Sequence, residues 1–442
     1  MKGLRWLTPG LGIKRWLFLA AVGSVLAFEG LGLLLPFEET LNVQRYGFFK
    51  QLDGNIDVLV GILMVGAGLG IFLWGFSRST RSILAALAPN EKEDDIEDYL
   101  LERVYNRRYL EKGPKIIAIG GGTGLSVLLR GLKEHTSNIT AVVTVTDDGG
   151  SSGRLRGDFD ILPPGDIRNC LVALADTESS MRRLFDYRFD KGKGLKGHSL
   201  GNLLITAMSE MEGDFYSAVQ EIAKVLAVRG RVVPSTLSKV TLGAVMEKGG
   251  IIKGQTNIVS QREKIDHVFL IPKECSALEE TVDAILNADA VILGPGSLYT
   301  SVIPNLLVKG IPEALIKTKA VVFYVCNIMT QPGETDGYDA ADHLEAILEH
   351  VGANIVDYVV LNNQGVPNDL LKKYLEDSSV PVAPARDKLE KMGVEIIEEA
   401  LVDNCHYVRH DPHKLARIIM EYVPHSNGVN INIPSSADTN NG

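Results

Sequence analysis

Two long apolar runs dominate the start of the chain. Residues 17–35 are apolar but for one charge, Glu29, and residues 58–76 carry none. A helix needs roughly 20 residues to cross a hydrocarbon core of about 30 Å, and both runs reach that length. The pattern predicts a two-helix transmembrane hairpin within residues 1–88. Lys2, Arg5, Lys14 and Arg15 precede the first run, and Arg78 and Arg81 follow the second. The stretch between them carries Glu38, Glu39, Asp53 and Asp57 against Arg45 and Lys50. Basic outer flanks predict that both ends lie in the cytosol, with a short external loop. Both runs are also compatible with buried core helices, and residues 14–27, ending in Val25-Leu26-Ala27, with a cleavable signal peptide. Cleavage would leave residues 58–76 as a stop-transfer helix, and everything after Arg81 would still be inside.

Residues 89–112 form a charged connector, acids first and then Arg103, Arg107 and Arg108. Ile96, Leu100 and Val104 recur every four residues, which predicts a helical linker with one apolar stripe. From Lys115 onward short β-branched runs alternate with helical stretches. Residues 116–119, 141–145, 290–293, 321–325 and 356–361 are continuously apolar, as strands are when helices cover both faces of a parallel sheet. Residues 125–133, 167–175, 277–287 and 339–350 read as the helices between them. This predicts an α/β domain over residues 113–425 with a doubly wound, mainly parallel sheet. The Asn, Ser and Gly content of residues 426–442 predicts a disordered tail.

Composition adds exclusions. Of the 442 residues 45% are hydrophobic and 23% charged, which rules out general disorder. Mean hydropathy is +0.08 despite a net charge of −10, and the two apolar runs account for that. The acidic balance argues against coating nucleic acid. Cys170, Cys275, Cys326 and Cys405 lie far apart without a CxxC pair. That spacing gives no zinc site or disulfide framework and fits a reducing compartment.

The candidate chemistry lies where strands end. Gly120-Gly121-Gly122-Thr123-Gly124 joins a strand to a helix, so free backbone N–H groups at the helix start can cradle a phosphate. It lacks the last glycine of GxGxxG and the lysine of a Walker A loop. A tight turn without ligand would have the same composition. The next strand ends in Thr146-Asp147-Asp148-Gly149-Gly150-Ser151-Ser152-Gly153. Asp147 or Asp148 can meet a ribose hydroxyl or hold Mg²⁺ against a diphosphate, with Asp148 the metal candidate. Neighbouring strand residues point to opposite faces, so one of the two faces the ligand. Residues 149–153 read as a mobile loop with Ser151 and Ser152 as donors, and Arg154 offers charge to a phosphate.

Asp166, at the start of the helix after Pro163-Pro164-Gly165, fits an N-cap as well as a ligand. Arg168 and Asn169 follow it. Arg168 opposes the helix dipole unless an acid or a phosphate pairs it. Gly197-His198-Ser199-Leu200-Gly201 matches the GxSxG nucleophile elbow, but no strand precedes it, so a serine hydrolase does not fit. Ser199 reads instead as a helix cap, with His198 and Asn202 as ligand donors. A second strand–turn–helix, Gly294-Pro295-Gly296-Ser297, repeats the phosphate-cradle pattern with Thr300 and Ser301 behind it. Asn327 ends the next strand. Two such edges on one crevice imply a ligand with two polar ends, such as a nucleotide diphosphate conjugate.

Taken in order, GGGTGLS, TVTDDGGSSGRLR, PPGDIRNCL, GHSLGNL, LGPGSLYTSVIPNLL and NIMTQPGET closely resemble the gluconeogenesis factor family, a CofD-like group. The resemblance covers about residues 115–422. It implies a Rossmann-like α/β fold that binds a nucleotide or a UDP-sugar, and a role in growth and cell shape on gluconeogenic carbon sources through cell-wall precursor supply. Its relative, 2-phospho-L-lactate transferase, moves a phospholactyl group from a nucleotide diphosphate with Mg²⁺. The resemblance therefore supports a regulatory UDP-sugar sensor first and a Mg²⁺-dependent transferase second. An NAD-dependent oxidoreductase would rest on the glycine turn alone. Expected partners are the nucleotide, the membrane, an unidentified protein and, as an open option, a second copy of the chain. The apolar hairpin departs from the family's shorter soluble members.

Overall fold

The computed structural model describes residues 13–34, 54–87, 109–176, 179–403 and 407–424. Most of the expected linker, the loop between the apolar runs and the tail at residues 426–442 lie outside the described residues. The chain divides into two compact units, residues 1–107 and 108–442.

The first unit holds α1 (Ile13–Leu34) and α2 (Gly54–Leu87). Within them Lys14–Leu34 and Val58–Ser82 are long and apolar enough to cross a membrane, and only 17% of either window is buried. The two helices run antiparallel through a seam of small residues. Gly61, Gly68 and Gly75 recur every seven residues on α2 and face α1. A Cβ on Gly68 would strike the backbone of Ala27, and one on Gly23 would come 2.5 Å from the Phe72 nitrogen. Close packing of small residues joins the two helices, a seam of the kind that associates helices where the surroundings are apolar.

The second unit is built on a sheet of seven strands: β1 (Ile116–Gly120), β2 (Ile139–Val143), β3 (Arg231–Pro234), β7 (Ala290–Leu293), β8 (Val321–Val325), β9 (Tyr358–Asn362) and β10 (Glu395–Glu399). They lie in the order β10-β9-β8-β7-β1-β2-β3. Every pairing in this sheet is parallel. Between β3 and β7 the chain makes a three-stranded antiparallel sheet from β4 (Thr241–Met246), β5 (Ile251–Lys253) and β6 (Ile265–Ile271), in the order β5-β4-β6. Residues 116–119, 142–143 and 290–293 are buried on both faces of the main sheet. That is why these runs are apolar throughout rather than alternating.

The chain builds outward from β1 through β2 to β3, then returns to β1's other side at β7 and builds outward again. The strand order therefore reverses between β1 and β7. Open α/β sheets bind ligands at such a reversal, outside the carboxyl ends of the strands.

Three short helices shape that edge: α3 (Gly122–Leu132), α4 (Gly150–Phe159) and α5 (Pro164–Leu174). The stretch 149–153, expected as a mobile loop, is the N-cap and first turn of α4, with Ser151 and Ser152 buried. Its sequence has almost no apolar periodicity, so the helix is held by what surrounds it and not by propensity. β2 begins two residues earlier than expected, and β3, β10 and the antiparallel sheet were not anticipated.

Candidate functional site

The two glycine-rich turns lie side by side at the reversal. Ile119 pairs with Leu293, so the backbone of both strands reaches the sheet edge together. Gly121 is the N-cap of α3, and Gly122, with φ +64°, takes a conformation that a side chain would strain. Gly124 is where the turns touch: a Cβ there would lie 2.5 Å from the Pro295 carbonyl oxygen. Asn305 ties the strand end to the second turn, its buried amide donating to Gly120 O at 3.1 Å and Ser301 O at 2.7 Å.

The second turn is held by the end of β8 and the segment after it. Asn327 grips Gly296 from both sides, accepting its N–H at 3.3 Å and donating to its carbonyl at 2.8 Å. Gln331 donates to Ser297 Oγ at 2.9 Å. Glu334 is buried beneath the irregular turn Leu298–Val302 and accepts from Thr300 Oγ1 at 3.2 Å. Burial pushes its carboxyl up to about 7, against the hydrogen bonds it receives from Thr300 and Tyr299.

Both turns open onto a cavity of about 650 Å³. Gly121, Gly122, Thr123 and Gly124 line it on one side, Gly296, Ser297 and Asn327 on the other, and Asp147 and Asp166 also face it. Burial and the neighbouring Asp147 carboxylate push Asp166 up to about 7, while the Gly122 N–H pulls the other way. A cation beside these two carboxylates would offset the burial and the Asp147 charge that raise Asp166. Among the described residues no group of three or more His, Cys, Asp or Glu side chains is placed to hold a metal. Two carboxylates suffice for Mg²⁺ when phosphate oxygens and water complete its shell, so the residues fit that ion.

Asp148, the metal candidate from sequence, is turned away from the cavity. Its carboxylate accepts from the Thr256 N–H at 2.9 Å and the Thr256 hydroxyl at 2.7 Å. This ties the segment after β2 to the short helix Gln255–Ser260, and Gln255 and Arg262 of that region reach the cavity. Asp166 is not an N-cap either: Pro163 holds that position, without a side-chain cap.

The remaining candidates are not in the cavity lining. Ser199 caps the helix Leu200–Glu212 and accepts from the Asn202 N–H. Asn202 donates to Ser151 Oγ at 3.1 Å, and the same hydroxyl shares a hydrogen bond with His198 Nδ1 at 2.9 Å. All four side chains are buried. Burial, with Arg154 nearby, lowers the His198 pKa. Ser152 is buried at the start of α4, and Arg154 donates to the Lys196 carbonyl. Arg168 pairs with Asp186 at 3.0 Å and donates to Asn169 Oδ1 at 2.7 Å, so an acid and not a phosphate answers its position in α5. Gly294, with φ +78°, shapes the second turn from behind its lining.

Sequence reading missed the far wall. Arg262, Tyr374, Arg409 and His410 line the cavity, and the Arg409 guanidinium lies 5.2 Å from the Tyr407 ring centroid. His410 is buried, and burial lowers its pKa to about 4, so it is a neutral ring in this wall. Arg409 and His410 come after β10 in the chain, far in sequence from the glycine turns. The cavity thus combines backbone amides, a pair of carboxylates and rim arginines, a set suited to a phosphate-bearing ligand with its metal ion.

The family model for 2-phospho-L-lactate transferase CofD matches residues 116–402. The gluconeogenesis factor of Bacillus subtilis is 50% identical over 309 residues, 70% of this chain and 98% of its own length. A Clostridium acetobutylicum relative is 45% identical over 96% of this chain and 92% of its own, so that likeness extends into the apolar hairpin. A crystal structure of a Bacillus halodurans protein, 48% identical, superposes with a TM-score of 0.68 and covers 70% of this chain and all of that one. The motifs around both glycine turns, the reversal in the sheet and these likenesses agree: the chain belongs to the CofD family and, within it, to the gluconeogenesis factors.

Proposed function

We propose that the chain is a membrane-held receptor for a nucleotide diphosphate sugar of the UDP-sugar type. In this reading it regulates cell-wall precursor supply, and with it cell shape, during gluconeogenic growth. The observation that carries the reading is the pair of adjacent glycine turns at the sheet reversal, with Asp147 and Asp166 beside them. The glycines at 122 and 124 let a phosphate approach the backbone at the start of α3, beside the Gly122 N–H that already serves Asp166. Asp147 and Asp166 would hold Mg²⁺, which neutralises the diphosphate charge. The rim arginines face the ligand's other end, and the basic flanks of the hairpin support placing this domain on the cytosolic side.

The carboxylate pair also favours a second reading, Mg²⁺-dependent transfer of a phosphorus-containing group as in the enzyme that names the family model. Positioning and charge neutralisation alone can drive such a transfer. The test is thermal unfolding of the detergent-solubilised chain with UDP-GlcNAc, GDP or NAD, with and without Mg²⁺. A ligand at a hundredfold excess over Kd stabilises by about 2.7 kcal/mol. Stabilisation by the UDP-sugar with the ligand recovered intact supports the receptor. Cleavage of its diphosphate supports the transferase, and no response to any nucleotide removes both.

A further inference from the structure

One end of the α1–α2 hairpin gathers aromatic and cationic side chains and, among the described residues, no acid. Trp16 and Trp74 meet edge to face with ring centroids 5.5 Å apart. The Arg15 guanidinium lies 5.0 Å from the Trp16 centroid and that of Arg78, from the other helix, 5.7 Å. Lys14 is the neighbouring residue on α1, and Lys14, Arg15 and Arg78 are all exposed. The acids of these helices, Glu29 and Asp57, stand 13 and 17 residues from the tryptophans along α1 and α2. At 1.5 Å per residue that is about 20 Å or more.

Two like charges gathered on one indole repel each other, and the ring face offsets only part of that. An anion seated against both guanidinia removes the conflict. The level of the cluster indicates which anion. The exposed apolar surface starts at Leu17 and Phe18 on α1 and runs to Trp74 and Phe76 on α2. Tryptophans and arginines at that boundary belong in the headgroup layer of a bilayer, where lipid phosphates lie.

We propose that this end of the hairpin is a binding site for the headgroup of an anionic phospholipid, with Arg15 and Arg78 holding the phosphate and Trp16 and Trp74 setting its depth. The proposal rests on the membrane-spanning reading of the hairpin. Guanidinium groups suit it because their planar fork engages phosphate in two places. A lipid with net negative charge is selected over a zwitterionic one because, among the described residues, no acid in the cluster accommodates a choline.

The test uses the full chain, first reconstituted into nanodiscs of pure phosphatidylcholine and then delipidated in detergent and offered phosphatidylglycerol or phosphatidylcholine. Native mass spectrometry counts the lipids retained. The expected result is stable insertion in phosphatidylcholine, preferential retention of phosphatidylglycerol, and a roughly thirtyfold weaker preference in the Arg15→Gln/Arg78→Gln double variant. An Arg15→Lys/Arg78→Lys variant keeps part of the preference, which separates charge from general damage. Equal retention of both lipids by the unaltered chain, or an undiminished preference in the glutamine variant, overturns the proposal. Displacement of the lipid by millimolar glycerol phosphate assigns the site to a soluble anion and overturns it too. Failure to enter phosphatidylcholine nanodiscs overturns the membrane reading, and this inference with it.

Discussion

Two polar regions of the sheet-bearing unit look alike in sequence and differ in what their groups do. Around Gly121–Gly124, Asp147 and Asp166, glycines and carboxylates face an open cavity. Around His198, Ser199 and Asn202, equally suggestive side chains bond to one another and to Ser151, out of contact with that cavity. A motif residue whose hydrogen-bonding capacity is met within the fold builds architecture. One whose capacity is left open at a strand end is available for a ligand.

The comparison can be broken from its open side first. Gly122→Val introduces a side chain at φ +64° where the backbone must approach the ligand. Its Kd for the UDP-sugar should rise roughly a hundredfold, the loss of one or two charge-assisted amide bonds. Calorimetric titration measures this, and an unchanged Kd would sink the cradle. Next, Asp147→Asn should weaken Mg²⁺-dependent ligand stabilisation by roughly tenfold, whereas Asp148→Asn should leave the Mg²⁺ requirement intact because Asp148 already bonds Thr256. The opposite ranking would return the metal to Asp148.

His198→Ala probes the closed region. It removes one of the two partners of the buried Ser151 hydroxyl and should cost about 1–3 kcal/mol of stability by denaturant unfolding, with ligand affinity preserved. A large loss of affinity would move that cluster into the site. The smallest effect concerns acidity. Asp166 sits at about 7 in the fold against an ordinary 3.8, so between those values the folded chain keeps a proton that the unfolded chain has lost. That contribution to stability is full below about pH 4 and disappears as pH rises through 7. Metal-free Asp166→Asn should therefore gain on the unaltered protein by a few degrees of Tm between pH 5 and pH 8. A gap that narrows over that range contradicts the raised carboxyl.

Much of this was legible because it depends on local rules. Buried parallel strands are continuously apolar, so β1, β7 and β8 stand out, and the glycine turns follow β1 and β7 directly. The far wall was not legible. β10 reads Glu-Ile-Ile-Glu-Glu, an edge strand with exposed or half-exposed acids and no buried-strand signature. Without it, the rule about carboxyl ends could not direct attention to Arg409 and His410 beyond it. The helix α4 hid for the opposite reason: Gly149-Gly150-Ser151-Ser152-Gly153 has loop composition, and only its neighbours make it helical. Asp148 could not be separated from Asp147 by sequence, because the partner that claims it, Thr256, comes from a distant part of the chain.

The pairing of β7 with β1 has a consequence for synthesis. The first glycine turn leaves the ribosome early, but the strand that completes its surroundings is made only after β2, β3 and the whole antiparallel sheet. Until then the flank of β1 that β7 will cover is an unpaired edge in a growing polypeptide. Competence to bind would thus switch on late in translation, and a prematurely terminated chain would carry half a cradle with nothing to hold.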